Sequence, residues 1–383
     1  MRLLYVHGNR ADSQAANVVQ VFNMCQAFAN CGVEVTLAVA RSENERTDPH
    51  DVAAVLLGQD PNFEIVTYRN YTVRSRFNVL GKYFGVRRIL KQYRDDLCCV
   101  RDPLSLHLAI RAGLPTVFEA HASQLHNRSR ALGWLWRRDL LANTKDVNLL
   151  RFVTISHALA DFWSQSGVPN QKIITLHDGF NPSLFGNGTS QSQARHMLDL
   201  PLSRKIVVYT GSLKPDRGIS RILRLAEAFK EALFVVVGGT EKQRLHYEEV
   251  SKTENETNVR WEGHVPHAAV SNYLQAADVL LMLWTWDVPT ISICSPLKVF
   301  EYMASARVIV GEAFPTIGEV LTDGETALLA EPESFEDLRL KLGHALTLEY
   351  PSSMAREAHD LAFKKYTWTI RAHMLLESLE GML

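Results

Sequence analysis

Short apolar runs alternate with helical stretches along almost the whole chain, and this alternation limits the possible folds more than any other feature. In the first half the strand-like runs are residues 3–7, 33–39, 64–68, 97–101, 116–119, 152–155 and 173–176. Helical spacing fills several of the gaps, notably 16–29, 86–93 and 157–166. The second half restarts the cycle with runs at 206–210, 233–237, 259–262, 279–283, 307–310 and 327–329. Strands separated by helices of this length are βαβ units, which build parallel sheets. Two such series predict an α/β protein of two Rossmann-like, doubly wound domains, with ligands at the carboxyl ends of the strands. The segment His177-Asp178-Gly179-Phe180-Asn181-Pro182, followed by a polar run at 186–192, is the best linker. It places one domain at 1–178 and a second at 179–352. A last helix from about Ser353 to Leu379, holding Trp368, is too long for one more unit, so residues 353–383 are expected to cross back onto the first domain.

At 383 residues, 46% hydrophobic and 22% charged, the chain has the composition of a globular protein of two domains. No apolar run reaches the roughly 18 residues of a membrane-spanning helix. Its first eight residues turn polar too soon for a secretory signal and read as a first strand. The five cysteines have no metal-like spacing, and Cys98-Cys99 lies in a strand-like run. Buried, reduced thiols and a cytoplasmic location are expected. The net charge of −1 hides an asymmetry: residues 1–178 carry 21 Lys/Arg against 16 Asp/Glu, and the remainder 20 against 26. Neither half is basic enough to make nucleic acid the expected partner.

Ser295-Pro296-Leu297-Lys298-Val299-Phe300-Glu301-Tyr302-Met303-Ala304 is the most informative segment. Ser295 suits an N-cap and Pro296 a first helical position. The free N–H groups and dipole of such a helix favour an anion in front of it. Lys298 in the first turn opposes that dipole unless an anion is near, and Glu301, one turn on, is placed to accept from a polyol such as ribose. An ordinary capped surface helix is the alternative. A second turn follows the 206–210 strand: Gly211-Ser212-Leu213-Lys214-Pro215-Asp216-Arg217-Gly218, then a helix from about Ile219. Strand, glycine loop and helix start make a phosphate cradle, and Arg217 offers a bidentate contact, although such loops also cap many ordinary strands.

Together these residues resemble the GT-B glycosyltransferases, specifically glycosyltransferase family 4, over nearly the whole chain. Val208-Tyr209-Thr210-Gly211-Ser212 with Arg217-Gly218 resembles the family's diphosphate loop. Gly263-His264-Val265-Pro266 and Tyr273-Leu274-Gln275-Ala276-Ala277-Asp278-Val279 resemble its next strand–helix–strand unit, and the Ser295–Ala304 segment its donor-site helix. Phe118-Glu119-Ala120-His121 resembles the Glu-x-His at a strand end, and Val153-Thr154-Ile155-Ser156 with Asp178-Gly179-Phe180-Asn181 the end of the first domain and the crossover.

The resemblance implies two Rossmann-like domains facing each other across a cleft. It also implies sugar transfer, with retention of configuration, from a nucleotide-diphosphate sugar bound by the C-terminal domain to a glycan or polyprenyl-linked acceptor on the N-terminal domain. No metal or cofactor is expected, and no Asp-x-Asp triplet occurs. Protein cations and helix N-termini must then neutralise the leaving group. The roles implied are phosphate contact by Arg217 and Lys298, assisted by Gly211, Ser212 and the Ser295-Pro296-Leu297 backbone, ribose contact by Glu301, and contact of His121 with the reacting sugar. Gly8, Ser13, Asn17 and Glu119 are expected to line the cleft, and Thr290 and Ser292 to reach the donor sugar. Each also has an ordinary structural explanation as a loop, turn or solvated residue. Two positions depart from the family pattern: Ile293 stands where a first glutamate is frequent, and Ser212 where an arginine is.

The basic-aromatic stretch 69–94 (Arg74, Arg76, Lys82, Arg87, Arg88, Lys91 and Arg94 among Phe77, Tyr83, Phe84 and Tyr93) and Trp134-Leu135-Trp136-Arg137-Arg138 suggest peripheral contact with the inner face of an anionic membrane. Solvated helix faces over buried aromatics explain them as well. Three functions stay open: a retaining transferase of cell-surface glycan assembly, a GT-B epimerase or inverting transferase, and a non-catalytic nucleotide-sugar-binding subunit. Donor base and sugar, acceptor, pathway and oligomeric state are not legible.

Overall fold

The structure, a computed structural model, describes residues 1–10, 16–41, 48–68, 78–93, 96–123, 130–185, 188–253, 258–350 and 352–383. It divides into two compact units. The first comprises Met1–Asp178, Ile293–Ser295 and Trp368–Leu383, and the second Gly179–Ser292 and Pro296–Thr367.

In the first unit, strands β1 (Arg2–Arg10), β2 (Glu34–Ala40), β3 (Glu64–Tyr68), β4 (Leu97–Val100), β5 (Thr116–Ala120), β6 (Leu149–Thr154) and β7 (Ile173–Thr175) form a seven-stranded parallel sheet in the order β3-β2-β1-β4-β5-β6-β7. Strand order reverses between β1 and β4, which puts the switch point at the ends of those two strands. All residues of β4 and β5 are buried, as expected of strands covered by helices on both faces. Phe152 packs on Phe118 and Trp163 at ring distances of 5.1 and 5.5 Å and anchors the core on one face.

The second unit repeats the plan. Strands β8 (Ile206–Thr210), β9 (Leu233–Val237), β10 (Val259–Gly263), β11 (Val279–Leu281), β12 (Val308–Glu312) and β13 (Leu328–Ala330) order as β10-β9-β8-β11-β12-β13, all parallel. Its switch point lies between β8 and β11. The helix Ile219–Ala228 buries Ile219, Ile222, Leu223, Leu225 and Ala226 at helical spacing against this sheet. The alternation of apolar runs thus places every strand to within a few residues.

The C-terminal stretch differs from expectation. The single helix expected from Ser353 to Leu379 is two helices, Ser353–Lys365 in the second unit and Trp368–Glu377 in the first. The break has a backbone cause. The carbonyl of Tyr366 accepts the Phe180 N–H at 3.0 Å, and Thr367 forms a parallel bridge with Phe180. Those backbone groups serve the chain leaving the first unit and are not available to continue a helix.

Candidate functional site

Two polar clusters occupy the two switch points, one in each unit. In the second unit β8 ends at Thr210 and turns at Gly211, whose φ of 144° suits glycine. A Cβ there would also lie 2.9 Å from the Lys298 Nζ and 3.3 Å from the Tyr209 hydroxyl, so a side chain would press on both. Lys298 is the second residue of the helix Leu297–Ala304, which is pinned to β8 by the Tyr302 hydroxyl accepting the Thr210 N–H at 2.9 Å. The Lys298 ammonium sits over two aromatic faces, 4.5 Å from the Tyr209 ring centre and 4.9 Å from that of Trp284. Among the described residues it has no hydrogen bond and no carboxylate partner. Burial above all, and then the neighbouring Arg217 charge, pull its pKa down to about 7, with Glu301 opposing.

Arg217 closes the short turn Pro215–Arg217, and its Nε donates to the Ser212 hydroxyl at 3.4 Å. Glu301, 7% exposed, lies 2.7 Å through Oε1 from His267 Nε2. Two cations, a glycine turn and a helix N-terminus thus converge on one strand end. The charge and donors of this arrangement suit an anion of more than one charge.

The first unit holds a buried acid–base network. Glu119, 4% exposed near the end of β5, is contacted by Gln20 Nε2 at 2.5 Å, His121 Nε2 at 2.6 Å, Arg371 at 3.2 Å and the Tyr5 hydroxyl at 3.3 Å. Burial would push its pKa up, but the Arg371 guanidinium, with His121 and Arg101, holds it well below the usual carboxylate range. His121 is pulled down to about 4, by burial first and then by Arg101. At neutral pH it is therefore an uncharged imidazole. Because Glu119 is ionised, His121 Nε2 carries the proton and donates, which leaves Nδ1 as an acceptor. His7, 3% exposed at the β1 end, has no partner for either ring nitrogen among the described residues. At Gly8 a Cβ would fall 2.5 Å from the Lys82 Nζ, which pairs with Asp102 at 3.0 Å.

Asp178, the last residue of the first unit before the crossover, also accepts from Gln20 Nε2, at 2.7 Å. Burial raises its pKa to about 7, with Arg371 the main opposing influence. A carboxyl whose folded pKa lies above its unfolded value adds stability that is complete below the unfolded pKa of about 4 and is lost as pH rises through 7. Asp178→Asn keeps the carbonyl acceptor for Gln20. It should therefore flatten the stability profile between pH 4 and 7 and stabilise the protein above pH 7 by on the order of a few kcal/mol. Denaturation midpoints across that range check this, and a parallel loss of stability at every pH would refute it.

The structure gathers Gly211, Ser212, Arg217, Leu297, Lys298 and Glu301 in the second unit, with Thr290 and Ser292 in the turn before the helix. Gly8, Asn17, Glu119 and His121 belong to the first unit, and Ser13 lies outside the described residues. Ser295 corrects an expectation. It does not cap the helix, whose N-cap is Pro296 without a side-chain bond. Its hydroxyl instead accepts the buried Asp178 N–H at 2.9 Å, a donor that would otherwise be unsatisfied. Ile293 has a structural reason for being apolar: it packs on the core of the first unit, and its carbonyl accepts from the Ser156 hydroxyl at 2.8 Å.

Tyr209, Trp284, His267, Gln20 and Arg371 were not picked out from sequence. Arg371 carried a signal, since it falls on the stripe Trp368, Arg371, Ala372 and Leu375 that buries the last helix. A cation on such a stripe implies a buried anion.

Two parallel α/β units of this topology, with a pair of cations at the switch point of the second, have the fold of the GT-B class. The model of "Glycosyltransferase Family 4" matches residues 18–184, and that of "Glycosyl transferases group 1" matches residues 190–361. The chain belongs to the glycosyltransferases composed of these two regions. A relative from Escherichia coli K12, WcaI, named for a colanic acid biosynthesis glycosyl transferase, is 25% identical, covering 59% of this chain and 55% of its own. The lipopolysaccharide 1,2-N-acetylglucosaminetransferase of Salmonella typhimurium LT2 is 23% identical over 61% of this chain and 63% of its own. The match thus spans somewhat over half the length of these curated relatives. Anabaena Alr3699/HepE, solved in complex with UDP and glucose, shares the fold with a TM-score of 0.75 at 14% identity over 100% of both chains.

Proposed function

We propose that the protein is a retaining, metal-independent glycosyltransferase that moves a sugar from a nucleotide-diphosphate sugar to a glycan or lipid-linked acceptor in cell-surface polysaccharide assembly. The observation that carries this reading is Lys298: a partly buried ammonium held on two aromatic rings, beside Arg217 and a helix N-terminus, without a carboxylate of its own. Its natural partner is a diphosphate. As the glycosidic bond breaks, negative charge grows on that diphosphate, and Lys298, Arg217 and the loop N–H groups stabilise it without reorganising. Glu301, oriented by His267, accepts from the ribose hydroxyls. His121 serves as a neutral hydrogen-bonding group, and the departing phosphate takes the acceptor's proton. The relatives named for colanic acid and lipopolysaccharide synthesis support the polysaccharide setting.

Among the described residues no helix is long and apolar enough to cross a membrane. We assign peripheral contact to the helix Arg130–Asn143, where Trp134 and Leu135 are 59% and 51% exposed and Arg138 stacks on Trp134. The donor reading is tested by thermal stabilisation against UDP-, GDP- and other nucleotide sugars. A ligand at about 100 times its Kd adds roughly 2.7 kcal/mol. One nucleotide class should stabilise the wild type and fail to stabilise Glu301→Ala and Arg217→Ala. No response to any nucleotide would sink the proposal.

A further inference from the structure

At the β3 edge of the first unit's sheet a groove of about 430 Å³ runs along the helix Asn78–Gln92. Its volume lies within the roughly 300–1,000 Å³ of small-molecule sites. Gly81 and Gly85, one turn apart on that helix, withhold side chains and open the groove. Arg41 and Tyr68 form the opposite wall, held in register by the Arg41 N–H donating to the Tyr68 carbonyl at 2.9 Å. Phe84 is 60% exposed, with its ring braced edge-on by Tyr83 at 5.3 Å. Arg88, one turn beyond Phe84, is exposed and makes no ion pair or hydrogen bond among the described residues.

The lining contains two guanidinium groups and two aromatic rings, Tyr68 and Phe84, but no carboxylate. An exposed ring offers a stacking face to the C–H side of a pyranose, and a guanidinium fork matches a carboxylate or phosphate in two parallel bonds. A flat lipid surface fits less well, because Phe84 is the only strongly exposed apolar side chain of the lining and the other exposed lining residues, Arg41, Thr67, Arg88 and Gln92, are polar. We propose that this groove is an acceptor subsite that takes an acidic sugar of the glycan being extended, with Arg88 on its acid group and Phe84 under its ring. The proposal rests on the glycosyltransferase reading above and names the substrate class that reading leaves open.

Isothermal titration of the full chain with a hyaluronan tetrasaccharide, neutral chitotetraose and inorganic phosphate tests it, alongside UDP and flotation with phosphatidylglycerol vesicles. The acidic tetrasaccharide should bind about tenfold or more tightly than the neutral one or free phosphate. Arg88→Ala and Phe84→Ala should each weaken it about tenfold and leave UDP affinity unchanged, with Arg88→Lys between Arg88→Ala and wild type. Equal affinity for acidic and neutral sugars, or no effect of either exposed-residue variant, overturns the subsite. So does a glycan-silent protein whose vesicle binding is lost in those variants. Failure of UDP to bind would instead count against the donor reading, and the two failures are read in separate titrations.

Discussion

Arg371→Leu should cost the first unit about 3–5 kcal/mol of stability, the range seen when one partner of a buried ion pair is removed. Arg371 is 2% exposed and its guanidinium lies 3.2 Å from Glu119, which is 4% exposed. It also donates to the carbonyls of His177 at 3.0 Å and Leu176 at 3.3 Å. Leucine fills part of the space but leaves Glu119 ionised without its main countercharge. A domain of ordinary stability has only about 5–15 kcal/mol in reserve. Urea denaturation, with hydrogen exchange at the β1 and β5 amides, would report the loss. The double variant Arg371→Leu/Glu119→Gln should recover much of it, because the stranded charge is gone. A loss below about 1 kcal/mol in the single variant would show that Glu119 is held by its other partners.

Lys298→Met should lower kcat/KM for sugar transfer by about 100- to 1,000-fold, as when one preorganised oxyanion contact is removed. Methionine keeps a stem of similar length between Tyr209 and Trp284, so the change isolates the charge. The pH dependence gives a second reading. With no ligand Lys298 has a pKa of about 7, and a bound diphosphate would raise it. Above pH 7 binding must therefore take up a proton. Nucleotide affinity in the wild type should fall as pH rises past 7, by up to about tenfold per unit. In Lys298→Met that slope should be absent. A wild-type affinity that stays flat from pH 7 to 9 would remove Lys298 from the phosphate contacts.

Much of the second unit's site was legible because its signals are local. A glycine after a strand, an arginine five residues past Ser212, and a lysine and glutamate one turn apart at a helix start need only backbone geometry to converge. What encloses Lys298 was not legible. Tyr209 sits in β8 and Trp284 just past β11, strands adjacent in the sheet but far apart in the chain, and both read as ordinary core aromatics. His267 likewise meets Glu301 only through tertiary packing.

The sequence by itself determined the strands and their parallel pairing into two doubly wound sheets, because apolar periodicity and short connections act over a few residues. Tertiary structure alone decided which residues are partners. Ser295 looked like a helix cap, yet its hydroxyl serves the Asp178 N–H, 117 positions away. The segment from Ser353 looked like one helix, yet it breaks where Phe180 takes the Tyr366 carbonyl. Glu119 stands near a strand end, and its ion-pair partner is an arginine 252 positions on. In each case a buried polar group must find a partner, and which one it finds depends on what the fold brings near rather than on what the chain places beside it.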